Sequence, residues 1–339
     1  MEKSLDRKLS AIHADPHGSK EFILADAKDA DMAFGLAAPG KLTERDGQTR
    51  FKPLAEFRQN IRNVIGQRIV DIMLMSASTS ELLCLEERLF DDSPVTPAVR
   101  ANDATDIHLP RGGTIHLEPA RPFRTATLDS IQCSHLDCSP EERARGVDLG
   151  LYSVTFNNRC ELDLVTLENY KEFREEAERR RFRHFLEVFD PNAPQGLTPE
   201  QIPGFVNDLI ARTLAGVTKA GRPLFLKMVY HGPQALEELV SYDPHLIVGI
   251  LGGAAGTTLD AFQLIHEIRK YGGRAALFGR KINQAEDQLQ FIEFLKLVVD
   301  GAIEPVEAVR AYHAALEKRG LKPHRTLDQD LELRTMPAS

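Results

Sequence analysis

Lys227 stands in the middle of PLFLKMVYHG (223–232), an otherwise almost continuous apolar run. Such a run reads as a strand buried on both faces, where an unpaired ammonium is expensive. One reading is a structural ion pair with Glu187, since buried charges are normally paired. The other is chemical. A lysine among apolar side chains and beside a second cation has its pKa lowered, because desolvation and like charge both disfavour the ammonium. The neutral amine attacks a ketone or aldehyde and forms a Schiff base, an electron sink for breaking or making the adjacent C–C bond. Lys28 is the candidate second cation, and Glu187, in FRHFLEVFD (182–190), the candidate proton shuttle. Asp26 or Asp29, in ADAKD, would orient substrate hydroxyls or assist proton transfer. The choice between those two acids stays open.

A second set of residues suits an anion. LGGAAGTT (251–258) and FGRKIN (278–283) combine glycines with a cation. Gly252 and Gly253 would let backbone N–H groups approach a phosphate at a helix N-terminus, and Arg280 supplies a forked donor. Thr257 and Thr258 are candidate caps of the following helix. GILGGAAG does not fit the G-x-G-x-x-G dinucleotide fingerprint, so no nicotinamide or flavin cofactor is expected.

These residues need a scaffold that gathers them. Apolar runs at 21–26, 69–78, 93–101, 147–156, 182–190, 223–230, 245–253 and 273–279 read as strands, and helical patterns separate most of them. That alternation implies parallel βαβ units. Eight units predict an α/β fold, a (β/α)8 TIM barrel, as a single domain over 1–339. Segments 1–20 and 322–339 are expected to be peripheral. The turn-rich, polar stretch 102–130 reads as a long excursion after the third strand, carrying Asp103, Asp106, His108 and Arg111 just beyond Arg100. In a barrel, active sites collect at the C-terminal ends of the strands, where all the candidates above fall.

Composition narrows the function classes. The 339 residues are 42% hydrophobic and 27% charged, as expected of a globular chain with a substantial core, and the net charge of −8 argues against nonspecific nucleic-acid binding. No apolar run approaches a membrane span. Four cysteines make no disulfide framework, so a cytoplasmic protein with reduced thiols is expected. CSHLDC (133–138) gathers soft ligands; a zinc site would want a fourth partner, which Cys160 or Cys84 could provide, but nothing in the spacing demands one, so no metal is expected. EFREEAERRR reads as a solvated helix face.

LKMVYHG, LGG and FGRKI, spaced as sixth, seventh and eighth strands, resemble the class I aldolase superfamily of DhnA-type archaeal fructose-bisphosphate aldolases and tagatose-bisphosphate (sulfofructose-phosphate) aldolases. The resemblance implies that Lys227 carries the Schiff base and that Gly252, Gly253, Gly279 and Arg280 bind substrate phosphate. It also maps the proton-shuttling glutamate onto Glu187 and the first-strand aspartate onto Asp26, with Lys28 where the tagatose branch has an arginine; an archaeal-type register would choose Asp29. Phe189 stands where the archaeal branch has its tyrosine acid, so that mechanism does not carry over whole. The 102–130 excursion has no counterpart in the family. The function implied is a C–C lyase acting on a phosphorylated keto-sugar or related carbonyl compound, and barrels of this kind often form homo-oligomers. The alternative is a phosphate-binding barrel, an isomerase using Glu187 as base or a metabolite-binding protein, that forms no Schiff base.

Overall fold

The computed structural model describes residues 1–43, 48–253 and 256–335. Eight parallel strands close into a barrel: β1 (Ile23–Lys28), β2 (Ile72–Met75), β3 (Thr96–Arg100), β4 (Leu149–Thr155), β5 (Arg183–Phe189), β6 (Leu226–Met228), β7 (Gly249–Leu251) and β8 (Ala275–Phe278). Each pairs with the next, and β8 returns to β1. Seven lie within the expected apolar runs, β1 overlaps its run and extends two residues beyond it, and the fold is the expected (β/α)8 barrel.

Strand alternation sorts the side chains into two layers. Ile23, Ala25, Leu74, Ala98, Leu151 and Phe185 fill the barrel interior, where Phe185 stacks on Phe225 at 4.6 Å between ring centroids. The opposite parity, including Leu24, Met73, Tyr152, Leu186 and Phe278, packs outward against the helices. Those helices are α2 (Leu54–Gln67), α3 (Cys160–Arg180), α4 (Ile202–Ala215), α5 (Pro233–Tyr242), α6 (Thr258–Lys270), α7 (Gln288–Asp300) and α8 (Pro305–Lys318), following α1 (Ser4–Ala14) in the chain.

The terminal segments do more than was expected of peripheral ones. α1 is amphipathic, and Leu5, Leu9 and Ile12 join the barrel-interior cluster, closing it from one end. Near the other terminus, Asp330 accepts from the Thr258 N–H at 2.8 Å, and Asp260 at the start of α6 accepts from the backbone N–H groups of Arg334 and Thr335. Residues 336–339 of that segment lie outside the described residues.

The excursion after β3 is an ordered insertion. Asp103–Ala104 pairs antiparallel with Pro122–Phe123, and single 3-10 turns occupy Thr105–Ile107 and Ile115–Leu117. Thr155 Oγ1, at the end of β4, donates to Asp106 at 2.7 Å and ties the insertion to the barrel mouth. Beyond it, Cys133 and Cys138 form a disulfide, which corrects the expectation of four reduced cysteines. Cys84 is buried and Cys160 exposed, both as free thiols. No helix among the described residues is long and apolar enough to cross a membrane.

Candidate active site at the C-terminal mouth

A cavity of about 150 Å³ opens at the C-terminal ends of the strands. β6 presents Lys227 to it, because Leu226 and Met228 take the outward parity and leave Lys227 facing in. The parallel register sets Lys227 opposite Glu187 of β5. Lys227 Nζ lies 2.5 Å from Glu187 Oε1, and both side chains are almost fully buried.

Glu187 is held from its other side. Ser153 Oγ of β4 donates to Glu187 Oε2 at 2.5 Å, and the Arg100 guanidinium, at the end of β3, reaches the same oxygen at 3.4 Å. Arg100 also donates through Nε to Asp29 Oδ2 at 2.5 Å and to Ser153 Oγ at 3.0 Å. The result is a buried chain running Asp29, Arg100, Ser153, Glu187, Lys227 around the mouth. Burial pushes the Asp29 carboxyl up, but the Arg100 and Lys227 charges outweigh it and hold it below the usual carboxylate range. Burial works against the Arg100 charge, and Asp29, Glu187 and Asp103 more than restore it. Asn102 keeps β4 in line here, accepting from the Ser153 N–H at 2.6 Å and donating to the Ser153 carbonyl at 2.8 Å.

Across the cavity lie Gly252, Gly253, Gly279 and Arg280. Gly252 is glycine for packing: a Cβ there would sit 2.2 Å from the Phe278 ring. Its N–H is committed to the Leu277 carbonyl at 2.8 Å, so it offers no free donor. Gly253 adopts a φ of 56°, a conformation side chains disfavour. The next residues of the expected loop, Ala254 and Ala255, lie outside the described residues. The N-terminus of α6 is already satisfied. Asp260, Asp330 and the Thr257 hydroxyl accept from the N–H groups of Thr257, Thr258 and Asp260, so the expected role of that helix end in anion binding is not free to operate. Arg280 has no carboxylate partner among the described residues; it lies over the Phe34 ring, 5.7 Å from its centroid, and burial lowers its pKa.

The strand scaffold matches known structures. Three fructose-1,6-bisphosphate aldolase structures, the first described as Schiff-base forming and the other two as archaeal, superpose with TM-scores of 0.59, 0.60 and 0.60, at 13%, 13% and 15% identity. Each likeness covers 86–87% of this chain and 99% of the other. One of them carries its catalytic lysine covalently bound to the carbinolamine intermediate of the substrate. The likeness is one of fold. No family model matches the sequence, and no curated protein matches it.

The barrel brings together Lys227, Glu187, Asp29, Gly252, Gly253, Gly279 and Arg280 around the cavity. It does not bring Asp26 and Lys28 there. Both have the outward parity of β1, paired in register with Met73, Phe278 and Met75 of the helix-facing layer. Asp26 and Lys28 form a fully buried pair at 3.2 Å, and Lys28 donates to Gln288 Oε1 at 3.0 Å at the start of α7. The expected choice between Asp26 and Asp29 therefore falls to Asp29 on position, and Lys28 is not the second cation near Lys227. The mouth instead holds Arg100, bonded to Asp29, Ser153 and Glu187, and as site residues Arg100 and Ser153 are what sequence reasoning missed. Both were marked by a polar side chain at the inward parity near a strand end, following Ala98 in β3 and Leu149 and Leu151 in β4. Phe189 lines the cavity at the position expected. Ile107 and Leu109 of the insertion form its wall. Among the described residues no three His, Cys, Asp or Glu side chains converge as a metal site.

Proposed function

We propose that this barrel is a class I aldolase, with Lys227 as the amine that forms a Schiff base with a phosphorylated keto-sugar or related carbonyl substrate. The observation carrying this reading is the contact between Lys227 Nζ and Glu187 Oε1 in the cavity at the C-terminal mouth, with Glu187 held by Ser153 and Arg100. A carboxylate at that distance takes the ammonium proton and frees the lone pair for attack on the carbonyl carbon. On attack, the extra proton on nitrogen passes to the former carbonyl oxygen and gives the carbinolamine; the proton held by Glu187 then goes to that hydroxyl, which leaves as water and gives the iminium. The iminium then accepts the electron pair of the bond between its α and β carbons, as a hydroxyl proton of the departing aldehyde passes to Glu187; the enamine left on Lys227 takes that proton back on carbon, and water hydrolyses the iminium to free the ketone. Asp29, held as a carboxylate by Arg100, accepts hydrogen bonds from substrate hydroxyls. Arg280, with Gly253 and Gly279, receives the phosphate.

The apolar wall of Ile107 and Leu109 favours a compact substrate whose carbonyl end reaches Lys227. A second reading draws on the same contact, because a buried lysine–glutamate pair is also what a phosphate-binding barrel without lysine chemistry would contain. Borohydride trapping separates the two. The protein is incubated with dihydroxyacetone phosphate and a panel of keto-sugar phosphates, reduced, and mapped by mass spectrometry. An adduct on Lys227 is expected. Folded protein that gives no adduct with any of them would leave the phosphate-binding reading.

A further inference from the structure

At the opposite end of the barrel from the lysine, a cavity of about 660 Å³ is built from the N-terminal ends of the strands: Thr96 begins β3, Asp148 precedes β4 and Arg183 begins β5. Seven arginines and one lysine line it against three aspartates, in a chain whose net charge is −8. Several of these cations are already engaged. Arg183 pairs with Asp6 and Asp148, Arg88 with Asp91, and Arg143 and Arg180 share Asp129. Arg145 and Arg181 have no carboxylate partner among the described residues.

Both of these arginines stand on fixed backbone. Arg181 sits in the left-handed conformation that ends α3, with a φ of 54°. The Arg145 carbonyl accepts from Arg88 at 3.0 Å. The following Gly146 packs so closely that a Cβ would lie 1.8 Å from the Gln132 carbonyl oxygen. Two buried polar atoms supply an independent sign of a ligand. Thr96 Oγ1 and Gln132 Oε1 belong to residues that line this cavity and are 1% exposed, and neither atom has a hydrogen-bond partner among the described residues. Buried polar groups are rarely left unsatisfied, so the Thr96 hydroxyl and the Gln132 amide oxygen, in a cavity also lined by two guanidinium groups without carboxylate partners among the described residues, point to a polar ligand. The volume is in the range of small-molecule sites.

We propose that this cavity is a second ligand site, separate from the lysine site, for a small phosphate-rich metabolite that also carries a hydroxyl or amino group. Arg145 and Arg181 each take phosphate oxygens through the guanidinium fork, Thr96 donates to a further oxygen, and Gln132 accepts from the ligand's hydroxyl or amine. Because this site and the lysine share no residue, binding here does not depend on the aldolase reading.

The test is calorimetric titration of the full chain with a nucleoside triphosphate and with inorganic tripolyphosphate, at physiological ionic strength. It is run on the parent and on Arg280→Ala, so that the anion site near the lysine is accounted for. Saturable one-site binding is expected, unchanged in Arg280→Ala and tighter for the nucleotide, whose ribose hydroxyls and base amine add donors for Gln132 that tripolyphosphate lacks. Arg145→Ala and Arg181→Ala should each weaken it by about tenfold or more, the scale of one lost charge-assisted contact. Thr96→Val should weaken it less. The inference is overturned if folded protein shows no saturable binding up to millimolar ligand. It is equally overturned if binding survives the Arg145→Ala/Arg181→Ala double variant or disappears in Arg280→Ala. A change of oligomeric state in that double variant without ligand would overturn it as well, by showing the face to be a contact between protein chains.

Discussion

Lys227 and Glu187 hold opposed register positions on β6 and β5, with 2.5 Å between Nζ and Oε1. That proximity alone does not distinguish a reactive lysine from a structural one. What surrounds it makes the two separable, because Glu187 keeps Ser153 and Arg100 when the lysine is removed. Lys227→Met should therefore lose the borohydride adduct and all turnover. Its unfolding free energy should drop by less than the 3–5 kcal/mol typical of orphaning a buried charge. Thermal and urea unfolding beside adduct mapping read both quantities. A variant that is badly destabilised yet whose parent forms no adduct would mark the pair as structural.

Glu187→Gln separates the nucleophile from its proton carrier. The amide keeps the shape and the contact with Ser153 but cannot accept a proton. Turnover is expected to fall by roughly 10²–10⁴, the usual worth of a positioned acid–base group. The Lys227 adduct should still form with excess ketone, only more slowly. Single-turnover kinetics with the trapping reaction would check this, and an unaltered rate would remove Glu187 from the proton path.

Arg100 is the element that couples Asp29 to Glu187. Arg100→Met leaves two buried carboxylates without their shared cation and should cost about 3–5 kcal/mol in urea unfolding. Arg100→Lys should recover only part of this, since a single ammonium cannot reach Asp29, Ser153 and Glu187 at once as the fork does. Full recovery by lysine would show that charge, not geometry, is what the position needs.

The strand runs, the barrel and the place of Lys227, Glu187 and the Gly-Arg pair after β8 were all legible in the sequence, because a buried parallel strand is a nearly pure apolar run and a charge within it stands out. The facing of β1 was less legible. A slip of one residue moves a side chain to the other face, and ILADAK puts small alanines at one parity and ionisable groups at the other, so hydrophobicity does not mark which side is the core. The barrel resolves it by admitting Ala25 and Ala27 inward and burying Asp26 with Lys28 under α7. Arg100 and Ser153 were obscured differently: each completes a site assembled from the ends of five strands, β1 and β3 to β6, a relation no local window contains. The loss of the α6 N-terminus as an anion site depends on Asp330, more than seventy residues further along the chain.

The outward pair on β1 gives the chain a pH signature unrelated to chemistry. Burial pushes the Asp26 carboxyl up to about 6, offset only in part by Lys28. The unfolded chain releases that proton near pH 4. The folded protein thus binds the extra proton between those values, and this contribution to stability, complete below about pH 4, is lost as pH rises through 6. Asp26→Asn should flatten that part of the stability profile by on the order of 2 kcal/mol while leaving adduct formation on Lys227 intact. Urea unfolding at intervals from pH 4 to 7 tests it; an identical slope in the variant would mean that Asp26 ionises normally.

Arg280 offers the cleanest separation of binding from stability. Among the described residues it has no carboxylate to orphan, and its guanidinium rests on the Phe34 ring at the cavity rim. Arg280→Ala should leave the unfolding free energy within the narrow range of ordinary surface changes. Affinity for phosphorylated keto-sugars should fall by about 1.5–3 kcal/mol, the worth of a charged hydrogen bond, while the unphosphorylated sugar binds as weakly as it does to the parent. The comparison of the two ligands is the decisive part. A loss shared by both would mean that Arg280 shapes the mouth instead of reading the phosphate, and the anion would then have to be sought at Gly253 and Gly279 alone.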